Sequence, residues 1–141
     1  KYFLDKLLSY KDKDIIKVVT GLRRSGKSTL LQIFRDDLSK KEISDKQIQF
    51  YNFELPENFL NKSWDKLYFE IKSKLQPDKM NYIFLDEIQN IADFEKLVDG
   101  LYATENTDIY ITGSNANLLS SELATLLSGR YIEISLLPFS F

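Results

Sequence analysis

The segment Gly21-Leu-Arg-Arg-Ser-Gly-Lys-Ser28 constrains this chain more than any other. It joins Ile15-Ile-Lys-Val-Val-Thr20, which is short, β-branched and apolar as strands are, to a stretch from Lys27 to Lys40. That stretch carries Leu30, Leu31, Ile33, Phe34 and Leu38 at helical spacing and predicts one apolar helix face. A strand that becomes a helix within so few residues needs glycine where the backbone turns, and Gly21 and Gly26 supply it. Such a turn aims the N–H groups of a helix N-terminus, with its positive dipole end, at the space beyond the strand.

The rest of the chain repeats the strand-then-helix pattern. Gln47 to Phe53 alternates apolar and polar residues as a second strand, which Pro56 ends. Ser63 is positioned to cap a helix bearing Trp64, Leu67, Tyr68, Ile71 and Leu75, and Pro77 stops it. Tyr82-Ile-Phe-Leu85 is a continuous apolar run, as expected of a central parallel strand covered on both faces. Asp93 caps a helix with Phe94, Leu97, Val98, Leu101 and Tyr102, and Asp108-Ile-Tyr-Ile-Thr112 is the fourth strand. Ala116 to Ser128 reads as a helix with Gly129 as its C-terminal cap, before the fifth strand Tyr131–Leu136. Five strands alternating with four helices predict an α/β three-layer sandwich with a parallel sheet and right-handed crossovers. Residues 1–14, with Leu4, Leu7 and Leu8, read as a short helical lead-in, and residues 15–141 as one core domain.

Composition removes whole chemistries. The chain has no Cys and no His, so thiolate nucleophiles, disulfides, Ser-His triads and His-ligated zinc are excluded. Carboxylate, Lys/Arg, hydroxyl and backbone chemistry remain. A net charge of −2 gives no global sign of a nucleic-acid partner. No run approaches the ~18 apolar residues that span a bilayer, and no secretory signal opens the chain, so the expectation is a cytoplasmic protein without a membrane partner. A start at Lys1 rather than Met and an apolar Leu-Leu-Pro-Phe-Ser-Phe tail read as an N-terminal fragment of a longer protein.

The spacing G-x-x-x-x-G-K-S then acquires a chemical meaning. Gly21 and Gly26 let backbone amides approach phosphate oxygens, with Arg24 and Ser25 in the same turn, at the helix N-terminus. Lys27 is expected to reach the β- and γ-phosphates, Ser28 to ligate Mg²⁺ and Thr29 to donate to a neighbouring phosphate. Arg23 and Arg24 are either solvated or in contact with phosphate or a partner subunit. Asp86 and Glu87 follow an apolar strand, at the carboxyl ends where ligands of parallel sheets gather. Asp86 would hold Mg²⁺ with Ser28, and Glu87 would be the general base for an attacking water. The Asp-x-x-Gly and Asn-Lys-x-Asp motifs of GTPases are missing.

Four further residues carry two readings each. Ser114 is the favoured sensor of the γ-phosphate or the attacking water, with Asn115 second or simply a helix N-cap. Asn52 is either a polar edge-strand residue or a switch that holds Glu87 away from water. Arg130 either settles a helix C-terminus or acts as an arginine finger in a neighbouring subunit.

Together these residues resemble the AAA+-like branch of P-loop ATPases. They look most like prokaryotic ATP-binding proteins in which an ATPase core precedes an uncharacterised C-terminal domain. The carrying segments are Ile16–Ser28, Tyr82-Ile-Phe-Leu-Asp-Glu-Ile-Gln89, Tyr110-Ile-Thr-Gly-Ser-Asn115 and Leu127-Ser-Gly-Arg-Tyr-Ile-Glu-Ile134. The resemblance implies strand order 5-1-4-3-2, Asn52 beside the acidic strand, and the above roles for Lys27, Ser28, Asp86, Glu87, Ser114 and Arg130. It also implies a helical lid and C-terminal domain beyond Phe141. The leading expectation is Mg-dependent ATP hydrolysis coupled to a conformational or assembly change, with a homo-oligomer formed through Arg130 and a protein or nucleic-acid target beyond Phe141. The rivals are a nucleotide-gated switch or scaffold and a small-molecule kinase. The Asp-Glu pair favours hydrolysis over the kinase.

Overall fold

A computed structural model describes residues 2–21, 26–113, 125, 127 and 129–136. Its strands are β1 Ile16–Gly21, β2 Ile48–Asn52, β3 Asn81–Asp86, β4 Thr107–Gly113 and β5 Tyr131–Leu136. Its helices are α1 Tyr2–Ser9, α2 Lys27–Ser39, α3 Pro56–Phe59, α4 Trp64–Ser73 and α5 Phe94–Tyr102. Every strand pair is parallel, and the order β2-β3-β4-β1-β5, read from the other edge, is 5-1-4-3-2.

Successive strand residues face opposite sides of a sheet, and this splits the core in two. Ile16 and Val18 of β1, Ile83 and Leu85 of β3, and Ile109 and Ile111 of β4 face one side. There α4 and α5 cover them with Leu67, Ile71, Leu97, Val98 and Leu101. Val19, Tyr82, Phe84 and Tyr110 face the other side, under α1 and α2, which contribute Leu7, Leu30, Leu31, Phe34 and Leu38. Helices on both faces explain why every residue of β3 is buried and why its sequence is a continuous apolar run. The result is the three-layer α/β sandwich.

Several local expectations need correction. Ile33 is 46% exposed rather than part of the buried face of α2. At 100° per residue it falls outside the stripe formed by Leu30, Leu31, Phe34 and Leu38. Pro56 does not end β2, which stops at Asn52; it opens α3 at a first-turn position, where its missing N–H costs nothing. Ser63 and Asp93 occupy the N-cap positions of α4 and α5, but neither side chain makes a cap hydrogen bond. Leu75 lies beyond the end of α4 and packs half-buried against the core. The helix expected over 116–128 falls mostly outside the described residues. Gly129 follows it with φ 75°, the left-handed conformation that favours glycine, and the next amide, Arg130 N–H, donates to Leu127 O at 2.9 Å.

Candidate functional site

Parallel strands deliver their carboxyl ends to one edge of the sheet, and the register places these ends side by side. Asn52 is level with Asp86, Leu85 with Ile111, and Val19 with Thr112. Neighbouring strands run about 4.8 Å apart, so side chains leaving adjacent ends can touch. Gly26 starts α2 with φ 92° and makes no side-chain cap hydrogen bond.

Side-chain and backbone groups of seven described residues meet at this edge. The Ser28 hydroxyl donates to Asp86 Oδ2 at 2.6 Å. The Thr112 hydroxyl donates to Asp86 Oδ1 at 2.6 Å and accepts the Glu87 backbone N–H at 2.8 Å. Lys27 Nζ donates to Gly21 O at 3.1 Å and lies 3.5 Å from Glu87 Oε2. Gln89 Nε2 donates to Glu87 Oε1 at 2.7 Å. Asp86 is 0% exposed, Lys27 2% and Glu87 4%. Charges so deeply placed need partners, and each has at least one here. Glu87 also adopts φ 57°, ψ 51°, a left-handed conformation uncommon for a residue with a side chain. The Thr112 hydroxyl holds this kink in place by satisfying its N–H.

The structure thus brings Gly21, Gly26, Lys27, Ser28, Asp86 and Glu87 to one place. Thr29 is exposed on the first turn of α2. Asn52 reaches the same edge, yet its Oδ1 accepts from Glu54 N–H at 2.9 Å, within its own loop. Arg24, Ser25, Ser114 and Asn115 lie outside the described residues. Arg130 is exposed at the opposite end of the sheet. Its carbonyl accepts Ile16 N–H at 3.0 Å, and its guanidinium lies over the Tyr102 ring, 5.9 Å from the centroid. A six-residue strand separates Ile16 from the glycine loop, roughly 17 Å at 3.3 Å per residue, which is beyond the reach of an arginine side chain.

Thr112 and Gln89 are the site residues that motif reasoning missed. A hydroxyl residue at the end of the strand beside the acidic one was the available signal for Thr112. Gln89 gave none, because its partner depends on a local kink at Glu87.

Comparison with known proteins gives the family and the fold. The model of a family described as AAA domain matches residues 13–141. An uncharacterized protein of Haemophilus influenzae is 47% identical over 140 residues, covering 99% of this chain and 35% of that protein. An uncharacterized protein of Methanocaldococcus jannaschii is 36% identical over 126 residues, covering 89% of this chain and 27% of that protein. The chain thus spans about a third or less of the length of these curated relatives. Drosophila ORC bound to AT-rich DNA and Cdc6 has a similar fold, with TM-score 0.65 at 12% identity, over 99% of this chain and 55% of that one. So does C. elegans PCH-2, with TM-score 0.60 at 18% identity, over 96% of this chain and 40% of that one.

Proposed function

This chain belongs to the AAA domain family, a nucleotide-binding family, and from that premise we propose that it binds ATP with Mg²⁺ and hydrolyses it. The observation that carries the reading is the contact between the glycine-loop helix and the acidic strand: Ser28 on Asp86 at 2.6 Å, and Lys27 beside Glu87 at 3.5 Å.

The donor set fits magnesium. A hydroxyl and a carboxylate already in contact are hard oxygen ligands, and Mg²⁺ keeps waters and phosphate oxygens for its remaining positions. Ser28 and Asp86 would hold the ion, which when bound supplies neutralisation of charge on the phosphates. Lys27 exchanges Gly21 O and Glu87 for phosphate oxygens. Glu87 then accepts the proton of a water whose oxygen bonds to the γ-phosphorus. The bond from that phosphorus to the bridging oxygen breaks, and ADP leaves with the electron pair. Ser114, Asn115 and the Arg24-Ser25 turn complete the reading as phosphate contacts, and Asn52 as a neighbour of the acidic strand. Coupling of turnover to a conformational or assembly change, a cytoplasmic setting, and a protein or nucleic-acid target are part of the same proposal. Among the described residues no helix is long and apolar enough to cross a membrane.

Binding and turnover of Mg-ATP test this. Lys27→Ala is expected to weaken ATP binding by about 100-fold or more, and unchanged affinity would sink the reading. Glu87→Gln is expected to keep affinity within a few-fold and lose most turnover; retained turnover would remove Glu87 as base.

Arg130 supports a second copy as partner, because its guanidinium is exposed and out of reach of its own loop. Arg130→Ala should leave ATP affinity unchanged and abolish any rise of turnover per subunit with protein concentration. A variant that keeps that rise would exclude the trans role.

A further inference from the structure

Glu87 is held from two sides by two chemically different donors. Oε2 faces the Lys27 ammonium at 3.5 Å, and Oε1 accepts from the Gln89 amide at 2.7 Å. The two are not equivalent once a phosphate group enters. An ammonium at the glycine loop is drawn to phosphate oxygens and leaves the carboxylate. The amide is neutral and lacks the charge that draws Lys27 to phosphate.

The backbone around Gln89 is built to keep it in place. It sits in the one-turn helix Ile88–Asn90, directly after the left-handed kink at Glu87. Ile88 and Ile91 are 0% and 1% exposed and anchor both ends of the turn in the core. Asn90 Nδ2 donates to Phe53 O at 2.9 Å, tying the turn to the end of β2. On the other side the Glu87 N–H is fixed by Thr112. Among the described contacts the Glu87 carboxylate is thus held by an amide and by a cation, and only the cation is a group that phosphate oxygens attract.

We propose that Gln89 is the positioning residue of Glu87, holding Oε1 so that Oε2 is free to take the proton of the attacking water once phosphate has claimed Lys27. A neutral donor suits this task, because it orients the carboxylate without cancelling the charge that makes it a base. The inference rests on the reading of Glu87 as that base.

The test is steady-state ATP turnover of the full-length protein with Gln89→Ala, Glu87→Gln and the double variant. Gln89→Ala is expected to lower kcat at least tenfold while KM stays within about twofold, since the amide acts on chemistry and not on nucleotide binding. In the Glu87→Gln background Gln89→Ala is expected to add no further loss, because its effect passes through Glu87. A kcat within twofold of wild type, a rise in KM alone, or an independent loss in the Glu87→Gln background would each overturn the inference. Retained turnover in Glu87→Gln overturns the base reading itself, whereas wild-type kcat in Gln89→Ala alone overturns only the role of Gln89.

Discussion

Lys17 and Lys27 are both buried lysines facing a carboxylate, at opposite ends of one sheet. Lys17 donates to Asp108 Oδ1 at 2.5 Å and to Lys13 O at 2.8 Å. Asp108 Oδ2 also accepts the Tyr110 hydroxyl and the Asp12 N–H, each at 2.8 Å. Asp12 in turn accepts from the Tyr82 hydroxyl and pairs with Lys11. This network ties the segment before β1 to β3 and β4. Burial pulls the Lys17 ammonium down and pushes the Asp108 carboxyl up, each toward its neutral form, against their mutual attraction. Burial and the Asp108 charge likewise push the Tyr110 phenol up. Lys27, by contrast, stands 3.5 Å from Glu87 at the first residue of α2. The pair at one end is closed by several short hydrogen bonds, and the pair at the other end is looser.

Exchanging the two lysines' losses is the strongest way to break that contrast. Lys17→Met leaves Asp108 buried without its cation and should cost about 3 kcal/mol in chemical denaturation, at the low end for a broken buried pair because two other donors remain on Asp108. ATP affinity of the folded fraction should stay within about twofold. Lys27→Ala should cost only about 1 kcal/mol, because Glu87 keeps the Gln89 donor. Equal stability losses in the two variants would erase the distinction.

The smallest effect concerns acid. Burial acts to raise the Asp12 carboxyl, but hydrogen bonds from Lys11 and Tyr82 and the nearby Lys11 and Lys17 charges hold it below its ordinary 3.8. A carboxyl with a depressed folded value adds stability above its unfolded value and loses it as pH falls through the folded one. Melting temperature should therefore fall more steeply below about pH 4 in the wild type than in Asp12→Asn. Asparagine tolerates the left-handed φ of 65° at this position, so backbone strain does not confound the comparison. Parallel acid limbs for the two proteins would remove Asp12 from the network's stabilising groups.

Much of the site was legible because its signals are local. Gly21, Gly26, Lys27 and Ser28 sit in one turn whose spacing carries its own geometry, and Asp86-Glu87 ends an apolar run. Asn52 shows where such reasoning stops. Its place beside the acidic strand came only from the family resemblance, and its side chain accepts the Glu54 amide two residues on. Arg130 shows the same limit at larger scale, since only the parallel register places it at the far end of the sheet from the loop.

The sequence by itself determined the five strands, the helices that follow β1, β2 and β3, the glycine turn and the acidic pair, because apolar periodicity and backbone freedom act over a few neighbouring residues. The tertiary structure alone decided that Lys17 meets Asp108, that Thr112 bridges Asp86 and the Glu87 amide, and that Lys27 faces Glu87. Those contacts join residues far apart in the chain, and hydrogen bonds hold only within a few tenths of an ångström, a precision that strand register and helix packing set.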